Sequence, residues 1–148
     1  MRLLAATAFA ALAIAPAFAA DPVIDKIEAK LFLTSTATLS DNVADGSGVS
    51  LWNTIIGEGG SGPANDTLVI VTVAADPDSY IDVPLSVVVD GGDGKNLVTR
   101  HVEGLLVGQS GKVSFGVYVE DSTCNALTVK AKIGKSEKTT TIPFACGE

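Results

Sequence analysis

The chain has 148 residues, of which 17 are Asp or Glu and 10 are Lys or Arg, so its formal net charge at pH 7 is −7. Proteins that bind phosphate backbones rely on clustered Lys and Arg, so this acidic balance argues against a nucleic-acid partner. The sequence holds one His and one Met, which leaves zinc and copper without their usual ligands, and we expect no metal and no cofactor.

Residues 1–19 have the features of a cleavable secretory signal. Arg2 supplies a positive charge, an apolar stretch runs from Leu3 to Ala15, and Pro16 interrupts it shortly before Ala19. Small residues at the first and third positions before the cut suit signal peptidase, so we predict cleavage after Ala19. The apolar stretch is shorter than the ~18 residues of a spanning helix. We therefore expect no membrane insertion after cleavage and a periplasmic or extracellular location.

Residues 20–148 are predicted to form one domain of β-strands. Apolar and polar residues alternate with a period of two, which is typical of strands with one buried face. The segment from Asp25 to Leu33 could also wind as a short helix, although the strand is favoured. Pro84 should shift the start of its own strand toward a sheet edge. The segment from Leu68 to Val73 is apolar on both faces, as in a central strand. The inward-facing sets are Ile27, Ala29, Leu31 and Leu33; Val83, Leu85, Val87 and Val89; Val113, Phe115, Val117 and Val119; Leu127, Val129, Ala131 and Ile133; and Ile142, Phe144 and Cys146.

Turn signals separate these segments at intervals typical of a sandwich. They lie at Asp45-Gly46, Gly57 to Pro63, Asp76 to Asp78, Gly91 to Asn96, Gly108 to Gly111, and Gly134 to Glu137. About seven short strands with frequent turns predict an all-β fold, an antiparallel β-sandwich.

Cys124 and Cys146 are the two cysteines of the sequence. Oxidising conditions outside the cytoplasm favour pairing, and no third cysteine competes, so we predict a structural disulfide between them. If the chain turns tightly after Gly134, antiparallel pairing of the last two strands brings Cys124 opposite Cys146, or one step from it. The bridge would then close the open end of that hairpin.

The stretch from Gly104 to Phe115, with its leucines, its glycine-containing loop and the alternating strand that follows, resembles a late-strand turn of known β-sandwich domains. These are the bacterial immunoglobulin-like domains of the cell-adhesion-related and fibronectin type III kind, and the likeness extends over Thr67 to Phe144. This chain departs from antibody-type domains in lacking an upstream Cys for an inter-sheet bridge and a Trp beside one. The resemblance implies an immunoglobulin-like sandwich with a role in binding, and it carries over no functional residues.

The candidate partner-binding residues are Trp52, Ile55 and Ile56, which stand beside the glycine-rich segment Gly57 to Gly62. An exposed Trp supplies a large contact area to a partner. A Trp in a domain with few aromatic residues is also suited to the core, and that alternative is the favoured one.

A histidine and two acidic clusters could belong to a catalytic or metal site, but ordinary structural roles explain them better. His101 lies in an alternating segment from Leu97 to Leu105 and lacks a nucleophile motif, so we expect it on a strand surface. Oxygen-bearing side chains cluster at Asp76, Asp78 and Asp82, and again at Asp90, Asp93 and Asn96, where calcium could bind. Neither cluster has the spacing of a calcium loop, and these residue types dominate ordinary β-turns.

These observations favour a non-catalytic binding or accessory module rather than an enzyme, with a protein or another cell-envelope component as its partner. The alternative is a structural subunit of a surface assembly, in which the segment from Asp21 to Thr34 pairs with a neighbour's sheet edge.

Overall fold

In the computed structural model, the residues that the structure describes are 20–44, 64–122 and 126–144. These residues form ten β-strands and no helix. The long strands are β1 (Val23–Leu33), β3 (Ala64–Ala74), β5 (Leu85–Gly91), β6 (Asn96–Val102), β8 (Lys112–Val119), β9 (Leu127–Ile133) and β10 (Ser136–Ile142), and the two-residue strands are β2 (Thr38–Leu39), β4 (Tyr80–Ile81) and β7 (Leu105–Leu106). The all-β prediction is confirmed. Within the described residues, no helix is long and apolar enough to cross a membrane.

The seven long strands and the two-residue strand β2 form two antiparallel four-stranded sheets, which pack face to face as a β-sandwich. Sheet 1 has the order β2-β1-β3-β8, and sheet 2 has the order β10-β9-β5-β6. The core lies between them, because alternate side chains of each strand point inward. Fully buried residues come from both sheets: Leu31, Val69, Val71 and Val73 from sheet 1, and Leu85, Val87, Val89, Leu127, Val129 and Ile133 from sheet 2.

A short ribbon joins the two places where the chain crosses between sheets. The chain passes through β4 on its way from β3 to β5, and through β7 on its way from β6 to β8. In this ribbon Tyr80 pairs with Leu106 and Ile81 pairs with Leu105. Ile81 and Leu105 are buried, whereas Tyr80 and Leu106 are exposed, so the ribbon closes one end of the core.

One side of the sandwich is closed by contacts between β1 and β10. A register shift in β1 leaves Asp25 without a partner in β3, and its backbone oxygen accepts a hydrogen bond from Lys138 Nζ at 2.6 Å. The backbone N–H of Ile24 donates to Ser136 Oγ at 2.9 Å. β1 therefore belongs to sheet 1 and also joins it to the edge of sheet 2.

The structure corrects three details of the sequence-based expectations. The segment from Asp25 to Leu33 forms a strand, so the helical alternative is wrong. Pro84 does not place its strand at an edge, because β5 begins one residue later and lies between β9 and β6. Since Pro84 precedes the first paired residue, its missing N–H removes no hydrogen bond from the ladder. The last strand ends at Ile142, since Pro143 has no N–H to continue the ladder.

Candidate functional site

β8 is an edge strand of sheet 1. On its inner side β8 pairs with β3 over its whole length, from Thr67↔Val119 to Ala74↔Lys112, without a register shift. No strand among the described residues pairs with its other side. An unpaired edge presents a row of free N–H and C=O groups that another chain can bind.

The inward-facing side chains of β8 are unequally buried. Val117 and Val119 are buried, whereas Val113 and Phe115 are only half-buried, although all four face the core. The first half of β8 is therefore less covered than the second, although both halves lie at the edge of the sheet. A strand added at this edge would bury Val113 and Phe115 further, which is favourable in proportion to the apolar area removed from water.

β6, the facing edge strand of sheet 2, carries features that oppose strand pairing. Its ladder with β5 has a register shift near Val89 and Asp90. Arg100 pairs with Val87, so it occupies an inward-facing position, yet it is exposed and forms no ion pair with a described residue. Inward-pointing charges and irregular ladders are devices that protect edge strands. β8, whose one charged residue is Lys112 at its start, lacks both.

Two shallow cavities lie between β8 and β6. One, of about 300 Å³, is lined by Leu97, Val98, Tyr118, Val119 and Glu120. The other, of about 240 Å³, is lined by Val98, Arg100, Gly116, Val117 and Tyr118. Leu97 and Tyr118 are large apolar side chains that remain exposed, so the open side of the sandwich offers a mixed apolar and polar surface.

Tyr118 is held on this surface by Asp66. Its hydroxyl donates to Asp66 Oδ2 at 2.5 Å, and the backbone N–H of Asp121 donates to Asp66 Oδ1 at 3.1 Å. Just beyond, the Ser122 hydroxyl donates to the buried Thr67 hydroxyl at 2.8 Å. These bonds fix the end of β8 to the start of β3, so the open edge is rigid at this end.

The same hydrogen bond changes the acidity of Tyr118. Donation to the Asp66 carboxylate raises the pKa of Tyr118 to about 12, because the bond is lost when the phenol ionises. A raised pKa in the folded state means that the interaction stabilises the fold below the ordinary tyrosine pKa of about 10 and is lost as the pH rises through the folded value.

The raised pKa of Tyr118 can be measured by titration in a variant that lacks the other tyrosine. The sequence contains two tyrosines, so Tyr80→Phe leaves Tyr118 as the sole chromophore of its kind. We expect the ultraviolet signal of tyrosinate in this variant to appear with a midpoint near pH 12. Adding Asp66→Asn should lower that midpoint, because the amide carries no charge to hold the proton. An unchanged midpoint would show that Asp66 does not control Tyr118.

His101 lies on the exposed outer face of β6, as the sequence predicts. The ladder aligns it with Ser86 of β5, which in turn lies beside Lys132 of β9. These three residues, with Val83, Pro84 and Gly134, line a shallow cavity of about 380 Å³. No hydrogen bond joins the Ser86 and His101 side chains, so the pair lacks the contact by which a base activates a nucleophile.

Three of the acidic residues in the two clusters have structural partners. Asp90 accepts hydrogen bonds from Asn96 and Lys130, which hold its pKa below the ordinary value, the Asn96 bond being the larger cause. Asp93 accepts a bond from the backbone of Lys95 within its turn. Asp76 accepts one from the backbone N–H of Ala20. Within the described ranges, no three His, Cys, Asp or Glu residues are grouped to hold a metal ion.

The other candidates from the sequence lie outside the described residues. These are the partner-binding residues Trp52, Ile55 and Ile56, and the disulfide pair Cys124 and Cys146. The sequence analysis overlooked Tyr118 and the edge of β8. Tyr118 carried one local signal, because it is an aromatic residue at an outward-facing position in the alternating segment from Val113 to Val119.

The comparisons with known proteins give low similarity. No protein-family model and no curated protein matches the sequence. Similar solved structures include the β-glucuronidase of Bifidobacterium dentium, at a TM-score of 0.43 and 13% identity over 82% of this chain and 18% of that one. The β-glucuronidase of Parabacteroides merdae is similar at a TM-score of 0.43 and 12% identity, over 85% of this chain and 14% of that one. The chain thus spans less than a fifth of either enzyme.

Proposed function

We propose that this chain is an exported, non-catalytic binding module whose partner is a protein that adds an extended strand to the free edge of β8. The supporting observation is the half-burial of Val113 and Phe115 on an edge strand without a register shift. Strand addition gains affinity from main-chain hydrogen bonds and specificity from alternate side chains. It would complete both the sheet and the apolar cover of the core.

The surroundings of β8 define the chemistry of the partner strand. Side chains that face Val113 and Phe115 should be apolar, and those between them should be polar, because the added strand would have one buried and one solvated face. Beyond the end of β8, Glu120 and Asp121 are exposed carboxylates. At the other end, Lys112 is already paired with Asp25 at 2.7 Å. A basic residue of the partner beside Glu120 would therefore complement the site.

Export is part of this proposal. The charge at Arg2, the short apolar stretch and the small residues before Ala20 support a signal that is cleaved after Ala19. The mature module would then act in the periplasm or outside the cell, where a disulfide between Cys124 and Cys146 is chemically favoured.

The alternative of a surface assembly meets a physical obstacle in its original form. The segment from Asp21 to Thr34 contains β1, which pairs with β3 along its length. On its other edge, the N–H groups of Ser40 and Val43 donate to the carbonyl oxygens of Leu31 and Ala29. Donating this segment to a neighbour would require breaking these bonds, whereas no described strand would have to be displaced from the outer edge of β8.

A designed peptide tests the proposed edge directly. The probe is a fluorescent peptide as long as β8 that begins with lysine and then alternates valine and threonine, so that antiparallel addition places its lysine beside Glu120. We expect saturable binding by fluorescence anisotropy and slower amide hydrogen exchange along β8. Val113→Lys should weaken binding at least tenfold, because a charge at this half-buried inward position opposes pairing, as Arg100 does on β6.

The matched control is Ser114→Lys, which adds the same charge one residue later on the exposed outer face. It removes the hydrogen bond between the Ser114 and Thr72 hydroxyls, but it should leave the affinity within about twofold, since Ser114 is exposed on the face that an added strand does not bury. A second control peptide with proline at alternate positions cannot donate ladder bonds and should not bind. Equal binding of both peptides, or no protection of β8 amides, would refute strand addition. Dimerisation of the free protein that Val113→Lys abolishes would assign this edge to a second copy instead.

A further inference from the structure

Three residues between Ala20 and the register shift of β1 contact separate parts of the fold. The N–H of Ala20 donates to Asp76 Oδ2 at 2.9 Å, in the loop after β3. Asp21 forms an ion pair with Lys135 at 3.2 Å, in the turn between β9 and β10. Asp25 pairs with Lys112 at the start of β8. Ala20 is therefore bonded to Asp76, a residue 56 positions further along the sequence.

Ala20 lies at a small cavity whose charged lining is entirely acidic. The cavity has a volume of about 200 Å³, and Asp21, Asp76 and Asp82 are its ionisable lining residues apart from Tyr80. The Asp76 backbone is fixed as well, since its carbonyl oxygen accepts a hydrogen bond from the Ser79 hydroxyl at 2.6 Å. Asp76 is bonded to the Ala20 nitrogen, and the other two carboxylates line the same cavity, so the charge of the surroundings favours a positive charge at that nitrogen.

In the uncut chain, the nitrogen of Ala20 belongs to the peptide bond with Ala19, so it is neutral and has one hydrogen to donate. Hydrolysis of that bond consumes one water molecule: the hydroxyl goes to the carbonyl carbon of Ala19, and the nitrogen becomes an amine that is protonated at neutral pH. The new α-ammonium group has three hydrogens and a full positive charge. It is therefore a far better partner for a carboxylate than the amide it replaces.

We propose that the α-ammonium group released by cleavage after Ala19 binds Asp76 in this acidic cavity, so that removal of the signal completes an ion pair of the mature fold. The inference rests on the proposed cleavage. Asp82 adds to the negative potential from the same cavity, while Asp21 is partly neutralised by Lys135. The ion pair fastens the start of the chain to the loop that follows β3.

A four-way comparison of mature proteins tests the ion pair. The chain from Ala20 to Glu148 is prepared with a free or an acetylated amino group, each with Asp76 or with Asp76→Asn, and unfolded in urea. Acetylation keeps the length and the hydrogen bond but removes the charge. We expect acetylation to raise the unfolding equilibrium constant about two- to fivefold more in the Asp76 protein than in the Asn variant, as for exposed ion pairs.

The titration of the amino group gives an independent measurement. In protein labelled at Ala20, nuclear magnetic resonance should show an α-amino pKa above the ordinary value, and Asp76→Asn should lower it. The raised pKa means that the ion pair stabilises the fold at neutral pH and is lost as the pH rises through that pKa. Asp82→Asn is the matched control, since it removes a charge from the same cavity without removing the bonded oxygen, and should have a smaller effect.

Additive effects of acetylation and Asp76→Asn, together with an α-amino pKa that Asp76→Asn leaves unchanged, would overturn the ion pair. This outcome is distinct from failure of the proposed export. The intact mass of protein recovered from the cell envelope reports whether the chain begins at Ala20, and it does so without reference to Asp76.

Discussion

Leu85→Ala is expected to lower the free energy of unfolding by about 2–5 kcal/mol. Leu85 is fully buried at the start of β5, where it lies between Val102 of β6 and Ile133 of β9. Truncation removes apolar contacts and leaves a cavity in a central strand whose neighbours on both sides limit collapse. Urea unfolding followed by the fluorescence or circular dichroism of the mature protein measures the change.

Leu106→Ala is the matched control for this substitution. It deletes the same atoms from a residue that is 75% exposed on the outer face of the β4–β7 ribbon. Its expected effect is within about 0.5 kcal/mol, as for surface substitutions away from special contacts. If the two variants were equally destabilised, the inward and outward faces assigned to these strands would be incorrect.

The strands that the sequence predicted best are those whose buried face is continuous. In β9, Leu127, Val129, Ala131 and Ile133 alternate with polar residues, and all four are fully buried. The period-two pattern reports directly on burial there, because a one-residue slip would expose the entire set. β3 was equally clear as a central strand, with β1 on one side and β8 on the other.

Two strands departed from that pattern for physical reasons. β10 reads SEKTTTI, with one fully buried residue, Ile142, so its place in the sheet depends on pairing with β9 rather than on its own apolar face. β6 has Arg100 at an inward-facing position, which interrupts the alternation of Val98 and Val102. Edge strands tolerate such residues because one side of the strand faces water.

The candidate site could not be predicted from sequence, because the edge status of a strand depends on the order of all strands in its sheet. Val113 and Phe115 have the same alternation as Val117 and Val119, and the sequence treats the four alike. Their place on an edge strand and their different burial are properties of the folded sheet, which is assembled from segments that are distant in the sequence. Likewise, the bond from Tyr118 to Asp66 joins residues 52 positions apart.

Loss of the proposed disulfide should have an effect comparable to a core truncation. The chain-entropy argument gives about 3 kcal/mol for a closed loop of the length between Cys124 and Cys146. The hairpin that would carry the bridge is well defined: β9 and β10 pair in continuous register from Ser136↔Ile133 to Ile142↔Leu127, around a tight turn with Gly134 at φ 53°. In the sequence, Cys124 stands three residues before Leu127 and Cys146 four residues after Ile142, the two residues whose pairing ends the ladder.

We therefore expect the double variant Cys124→Ala, Cys146→Ala to lose about 3 kcal/mol in the free energy of unfolding, measured in urea without reductant. Reduction of the unmodified protein should produce a similar loss, whereas reductant should leave the double variant unchanged, which separates the effect of the bridge from that of the two side chains. Alkylation of protein taken from the cell envelope gives the decisive measurement. Two reactive thiols in the unfolded, unreduced protein would show that the hairpin is held by its ladder and by the burial of Ile142 and Phe144 alone.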